Sequence, residues 1–174
     1  MARLLLVYAS TEGQTEKIAH YIRDRLGAAG HHVAGIRAGE GTPPDAFDAA
    51  ILAGSLHLGK HQRELVDFAS VHRELLAGVP SLFLSVSLSA QGGVDDHANA
   101  QKCVDDFIAE TGWTPTRTEL IAGGVHLKKI NPVKRFMIRR ILRKKGYEVG
   151  PSGDLEFTDW AALDRMVEDF CSGL

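Results

Sequence analysis

Leu4-Leu5-Leu6-Val7-Tyr8 is an apolar run with no polar residue inside it. A strand with one wet face alternates apolar and polar side chains, so an unbroken run marks a strand covered on both faces. Ala49-Ala50-Ile51-Leu52-Ala53 repeats the pattern, and Ser81 to Leu88 opens after Pro80 as a further strand. His32 to Ile36 and Glu119 to Val125 bring the set to five. Between these runs the apolar period lengthens from two to about 3.6, the helical repeat. Ile18, Ala19, Ile22 and Leu26 share one helical face until Gly27 to Gly30 stops it. Leu65, Val66, Ala69 and Leu76 do the same over Gln62 to Leu76, and a third helix is expected over Asp96 to Glu110. Thr158 has the chemistry of an N-cap for the last helix, with Asp159 in its first turn.

Strands alternating with helices imply βαβ units and a parallel sheet, and right-handed crossovers place helices on both faces. Five strands predict a doubly wound α/β fold with sheet order 2-1-3-4-5 rather than a six-stranded dinucleotide fold. A length of 174 residues fits one domain spanning 1–174. Apolar residues make up 44% and charged residues 24%, which excludes a disordered chain, a collagen or a disulfide scaffold. Cys103 and Cys171 show no metal-ligand spacing and read as buried reduced thiols of a cytoplasmic protein. The first apolar run is too short for a signal peptide, and no stretch approaches the roughly 20 residues that span a bilayer.

The formal charge of −2 conceals a segregation. Lys128 to Lys145 holds nine Lys and Arg and no Asp or Glu, leaving 11 − 22 = −11 on the rest of the chain. These residues belong to an insertion, about 127–153, between the fifth strand and the last helix. Val133, Phe136, Met137 and Ile141 recur there at helical spacing, widened by Ile138 and Leu142, with Lys134, Arg135, Arg139, Arg143 and Lys145 largely around the other side. Such a basic amphipathic helix suits an anionic membrane surface. It suits equally a helix that packs its stripe on the domain and leaves its charges in water. No aromatic interleaving or motif points to nucleic acid.

In a doubly wound sheet the ligand lies beyond the carboxyl ends of the strands, where three loops are expected to converge. Ser10-Thr11-Glu12-Gly13-Gln14-Thr15 runs straight into a helix. Hydroxyls and a permissive glycine at a helix N-terminus form an anion site; a hydroxyl-rich helix cap would look the same. There is no Walker lysine and no GxGxxG, which argues against a nucleoside triphosphate and against NAD. Gly54-Ser55-Leu56-His57-Leu58-Gly59 has a glycine at each end, where backbone can approach a flat ligand. Ser55 is no nucleophile elbow, because Ala53 stands where a glycine is needed. His57 and His61 have metal-pair spacing without a third ligand, so no metal is expected and both read as exposed loop histidines. The third loop, Ser85 to Gly93, supplies hydroxyls and amides from Ser85, Ser87 and Gly92 beside Val86 and Leu88.

Ser10 to Thr15 resembles the FMN-phosphate loop of flavodoxins, with Glu12 where many have Thr. The chain resembles more closely one branch, the flavodoxin-like menaquinone-dependent protoporphyrinogen IX dehydrogenases. The resemblance rests on Ser10 with Gly13-Gln14-Thr15, Ser55 and Gly59, Ser85-Val86 with Leu88, and Trp113, Pro115, Arg117 and Ile121-Ala122-Gly123. It continues through Arg135-Phe136-Met137-Ile138 to Thr158-Asp159-Trp160. Leu58 departs from the aromatic usual in the second loop, and His57 stands where Arg is common. The resemblance implies a flavodoxin-like fold carrying non-covalent FMN. Its phosphate would lie on Ser10, Thr11, Gly13, Gln14 and Thr15, and its ring between Gly54–Gly59 and Ser85–Gly93. It further implies a porphyrinogen substrate and a quinone acceptor, and the Lys128 to Lys145 cluster is expected to bring the protein to the cytoplasmic face of the inner membrane, its helix facing lipid or guiding propionates. His57 is the candidate acid–base group, since histidine titrates near neutrality. An electron carrier without its own substrate, or an FMN-binding partner-recognition module, would share most of these features.

Overall fold

The computed structural model describes residues 1–126, 131–144, 146 and 154–174. The apolar runs become β1 (Arg3–Ala9), β2 (His32–Arg37), β3 (Ala49–His57), a two-residue β4 (Lys60–His61), β5 (Ser81–Ser87) and β6 (Arg117–Ala122). Five of them run parallel in the order β2-β1-β3-β5-β6, while β4 folds back antiparallel on β3. Counted among the parallel strands alone, this is the expected 2-1-3-4-5.

The helices are α1 (Gln14–Ala28), α2 (Arg63–Val71), α3 (Arg73–Ala77), α4 (Val94–Thr111), α5 (Pro132–Lys144) and α6 (Trp160–Ser172). Alternate strand residues feed two separate cores. Leu4, Leu6, Ile51, Leu82 and Leu84 pack with Ile18 and Ile22 of α1 and Leu163 of α6. Leu5, Val7, Leu52 and Phe83 pack with Leu65 of α2 and Val104 and Phe107 of α4. Each such side chain, fully buried, contributes about 2 kcal/mol, which is why the runs had to lie inside a three-layer sandwich.

Several boundaries differ from the sequence expectation. The helix expected over Gln62 to Leu76 is two helices, because His72 (φ −102°, ψ 17°) leaves helical geometry. The fifth parallel strand ends at Ala122, opposite Ser87, since β5 itself ends there in a short turn over Ser89–Gln91. With no parallel neighbour left, the chain forms β7 (Gly124–His126), which pairs antiparallel with β8 (Asp154–Glu156). Asp159, not Thr158, caps α6: its Oδ1 accepts from the Ala162 N–H at 2.9 Å. The Thr158 hydroxyl is otherwise engaged, donating to the Ala122 carbonyl at 2.7 Å. Both cysteines are free and half-buried rather than buried, and burial raises their thiol pKa values.

Candidate functional site

The carboxyl ends of β1, β3 and β5 open onto a cleft of about 600 Å³. The first loop contributes Ser10, Thr11, Glu12, Gln14 and Thr15 to its wall. The loop is organised by Gly13, whose φ of 100° is open to glycine and costly for other residues. Its N–H is held by the Ser10 hydroxyl at 3.0 Å. Thr15 is buried, yet among the described residues its hydroxyl has no hydrogen-bond partner, nor has Oε1 of the Gln14 side-chain amide. A buried polar atom left unpaired costs about 1–3 kcal/mol. The Thr15 hydroxyl lies in the first turn of α1, where free N–H groups and the helix dipole favour an anion; the Gln14 Oε1, an acceptor, faces Gly124 instead.

The second loop proves to be an extension of the sheet. β3 runs through Gly54, Ser55 and Leu56 to His57, and pairs His57 with Lys60. That leaves a two-residue turn, Leu58-Gly59, with φ of 52° and 77°, the positive-φ pair that a tight hairpin requires. Leu58 is thus a branched side chain in left-handed backbone, 89% exposed at the cleft mouth. Ser55, Leu56, His57 and Leu58 line the cleft, as do Val86, Ser87 and Leu88 from the end of β5. Gln62, just past the hairpin, ties two loops together by donating to the Thr11 hydroxyl at 3.0 Å and to that of Ser55.

Gly54, Gly59, Ser85 and Gly92 lie off the cleft wall. Gly54 is required by packing, since a Cβ there would sit 2.5 Å from Leu65 Cδ2. Gly92 sits past the Ser89–Gln91 turn against Asp96. Ser85 faces the opposite layer from Val86, and its hydroxyl lies 3.0 Å from His61 Nε2. His61 is correspondingly not an exposed loop residue. Its ring packs against Phe83 and Phe107 at 5.1 and 5.0 Å between centroids, and burial lowers its pKa to about 4. His57 remains exposed. The two histidines form no metal pair, and among the described residues no group of three or more candidate ligands does.

The far wall is one that sequence reasoning missed. Gly123 and Gly124 line it where the chain leaves β6, and Asn131, Met137 and Ile138 line it from the start of α5. The glycine pair and Asn131-Pro132 were visible signals; Asn131 Oδ1 caps α5 by accepting from the Val133 N–H at 2.9 Å. Periodicity could not say which face of α5 turns to the cleft. Val133 and Phe136, expected to cover apolar surface if the helix packed, are 70% and 71% exposed. Lys128, Lys129 and Lys145 lie outside the described residues.

A family model of the flavodoxin domain matches residues 5–150. The chain belongs to the flavodoxin-domain family. Membership in this family implies a flavin cofactor. Oxidised flavodoxin 1 from Bacillus cereus shares the fold, with a TM-score of 0.60 over 99% of both chains at 15% identity. Two relatives are similar along nearly the whole sequence, and both are named protoporphyrinogen IX dehydrogenase (quinone). The Escherichia coli K12 protein is 26% identical over 96% of this chain and 93% of its own length. The Leishmania major protein is 25% identical over 98% of this chain and 75% of its own.

Proposed function

We propose that this flavodoxin-domain protein is an FMN-dependent oxidoreductase that oxidises protoporphyrinogen IX and passes the electrons to a quinone. The observation that carries the cofactor is the buried Thr15 hydroxyl in the first turn of α1, which has no partner among the described residues. A hydroxyl held there donates to a phosphate at no cost in reorganisation, beside the N–H groups of the Ser10–Thr15 loop. Ser10, Thr11, Gly13, Thr15 and the backbone N–H of Gln14 would hold the phosphate, with Glu12 at the rim. Ser55, Leu56, His57 and Leu58 on one side and Val86, Ser87 and Leu88 on the other would bracket the ring. The flavin, when bound, supplies the electron or hydride transfer.

The residues of the chain then position and exclude. Leu56, Leu58, Val86 and Leu88 would offer the ring aliphatic rather than aromatic surface, with side-chain contact in place of planar stacking. Met137, 59% exposed, and the half-buried Ile138 would form the far wall beside the ring. His57 is the histidine among the described lining residues, and its imidazole would be the acid–base group for the proton released as the porphyrinogen is oxidised. The substrate and the acceptor come from the names of relatives that match 96–98% of the chain.

The membrane role rests on α5. Met137 and Ile138 turn to the cleft, while Phe136, Arg140 and Arg143 recur at i, i+4 and i+7 on another face, bordering a hollow of about 580 Å³ with Arg139 and Lys144. An exposed phenylalanine among arginines fits an anionic bilayer surface, from which a quinone would reach the cleft. Among the described residues no helix is long and apolar enough to cross a membrane.

The test is the absorbance spectrum of the purified protein after reconstitution with FMN. A bound oxidised flavin, bleached anaerobically by protoporphyrinogen IX and recoloured by a quinone, is the expected result. A flavin that accepts single electrons from a reductase but none from the porphyrinogen would make this chain an electron carrier instead.

A further inference from the structure

The first turn of α1 is anchored at the point where the insertion begins and ends. Gln14 turns its amide into the protein, only 4% exposed, and its Nε2 donates to the Thr158 hydroxyl at 3.0 Å. Thr158, itself buried, passes the chain on to the Ala122 carbonyl at the end of β6. Two residues on, Gly124 begins β7, where an added Cβ would sit 3.1 Å from Gln14 Oε1 and 2.9 Å from the Leu155 carbonyl of β8. The backbone closes the same ring, since the Phe157 N–H donates to the Gly123 carbonyl at 2.9 Å. One helical turn further, Lys17 ion-pairs with Glu156 of β8, which also accepts from Trp160 Nε1 at 2.6 Å. Burial alone would raise the Glu156 pKa; hydrogen bonds from Lys17, Trp160 and Gln14 outweigh it and hold the carboxylate low.

The residue next to Gln14 in sequence is Thr15, the buried hydroxyl proposed to meet the phosphate. An anion that draws the first turn of α1 into one position therefore fixes the Gln14 amide, and with it Thr158 and the junction of β6, β7 and β8. We propose that Gln14 and Thr158 are positioning residues that couple occupancy of the phosphate loop to the seating of the β7–β8 hairpin, and so of the insertion whose helix forms the far wall of the cleft. The proposal rests on the FMN reading above. Coupling of this kind is reciprocal: whatever factor the seated hairpin adds to ligand affinity, the ligand adds to the stability of the hairpin.

Thr158 is the residue to perturb, because it lines no part of the cleft. The FMN dissociation constant is measured by quenching of flavin fluorescence in the wild type, Thr158→Val, Thr158→Ser, Gln14→Leu and the Thr158→Val/Gln14→Leu double variant. Amide hydrogen exchange at Phe157 and across Asp154–Glu156 is followed with and without FMN. Thr158→Val is expected to weaken FMN about tenfold, within the usual 5- to 150-fold range of such couplings. Thr158→Ser, which keeps the hydroxyl, retains wild-type affinity, and the double variant binds no more weakly than Gln14→Leu alone. FMN should slow exchange at Phe157 about tenfold in the wild type and leave it unchanged in Thr158→Val. Wild-type affinity in Thr158→Val, or exchange at Phe157 indifferent to FMN in the wild type, overturns the coupling while leaving the cofactor assignment intact. A wild-type protein that takes up no FMN overturns both.

Discussion

His61 makes the stability of this protein fall with pH in a window that the structure defines. Its ring is 8% exposed between Phe83 and Phe107, with Ser85 as its hydrogen-bond partner. Burial lowers its pKa from 6.5 to about 4. Above about pH 6.5 both the folded and the unfolded chain hold this histidine neutral, and its environment costs nothing in proton binding. Between 6.5 and 4 the unfolded chain takes up a proton that the folded chain refuses, so unfolding is favoured by about 1.4 kcal/mol for each pH unit. Below 4 both states are protonated and the loss stops growing. The full window is worth about 3 kcal/mol, and at pH 5 about 2 kcal/mol is gone, a large share of a typical stability of about 5–15 kcal/mol. Urea unfolding at about pH 7.5 and about pH 5 reads this out; with a slope near 2 kcal/mol per molar, the midpoint falls by about 1 M. The control is His61→Gln, which offers Ser85 an amide but cannot titrate. It is expected to cost about 1–3 kcal/mol at pH 7.5 through lost ring packing, and to lose about 2 kcal/mol less than the wild type on going to pH 5. Equal losses in the two proteins would refute the assignment of a buried neutral His61.

Gly54→Ala pushes a methyl to 2.5 Å from Leu65 Cδ2 in a filled core, so thermal unfolding should show about 1–3 kcal/mol of destabilisation. Leu58→Asn relieves a branched residue at φ 52° without removing buried area; a rise of about 1 kcal/mol in urea stability is expected. Thr15→Val deletes an unpartnered buried hydroxyl, so it should leave the FMN-free protein as stable as before or about 1 kcal/mol more stable. It should also weaken FMN binding about tenfold, the worth of one charge-assisted hydrogen bond. Vesicles containing anionic lipid should retain the protein at low salt and release it as salt rises, and Phe136→Ser with Arg140→Glu should abolish retention; binding by that variant to the wild-type extent would exclude α5 as the contact.

Some of the site could be read directly from the chain. Ser10–Thr15 had to stand at a helix N-terminus because an apolar strand precedes it and a helical stripe follows, both of them local patterns. The second loop was less legible. The glycines at 54 and 59 look alike in sequence, yet one is demanded by Leu65 of a neighbouring helix and the other by a hairpin turn. His57 and His61 share a spacing and little else, since one ends a strand in solvent and the other enters a cluster of aromatic rings. Gln62 gave no motif at all, because its partners Thr11 and Ser55 lie 51 and 7 residues away.

The alternation of runs covered on both faces with helical stripes determined the doubly wound sheet, its strand order and the end of the sheet where a ligand would lie. Those features follow from periodicity and from the handedness of crossovers, which each βαβ unit obeys by itself. Only the tertiary structure decided that α5 lines the cleft with Met137 and Ile138 while exposing Phe136 among arginines. It also decided that His61 is buried, that Thr158 serves Ala122 and Gln14 rather than a helix cap, and that Glu156 meets Lys17. Each of these depends on which distant segment supplies the neighbour, and such partners are chosen by packing between elements rather than by any pattern along one of them.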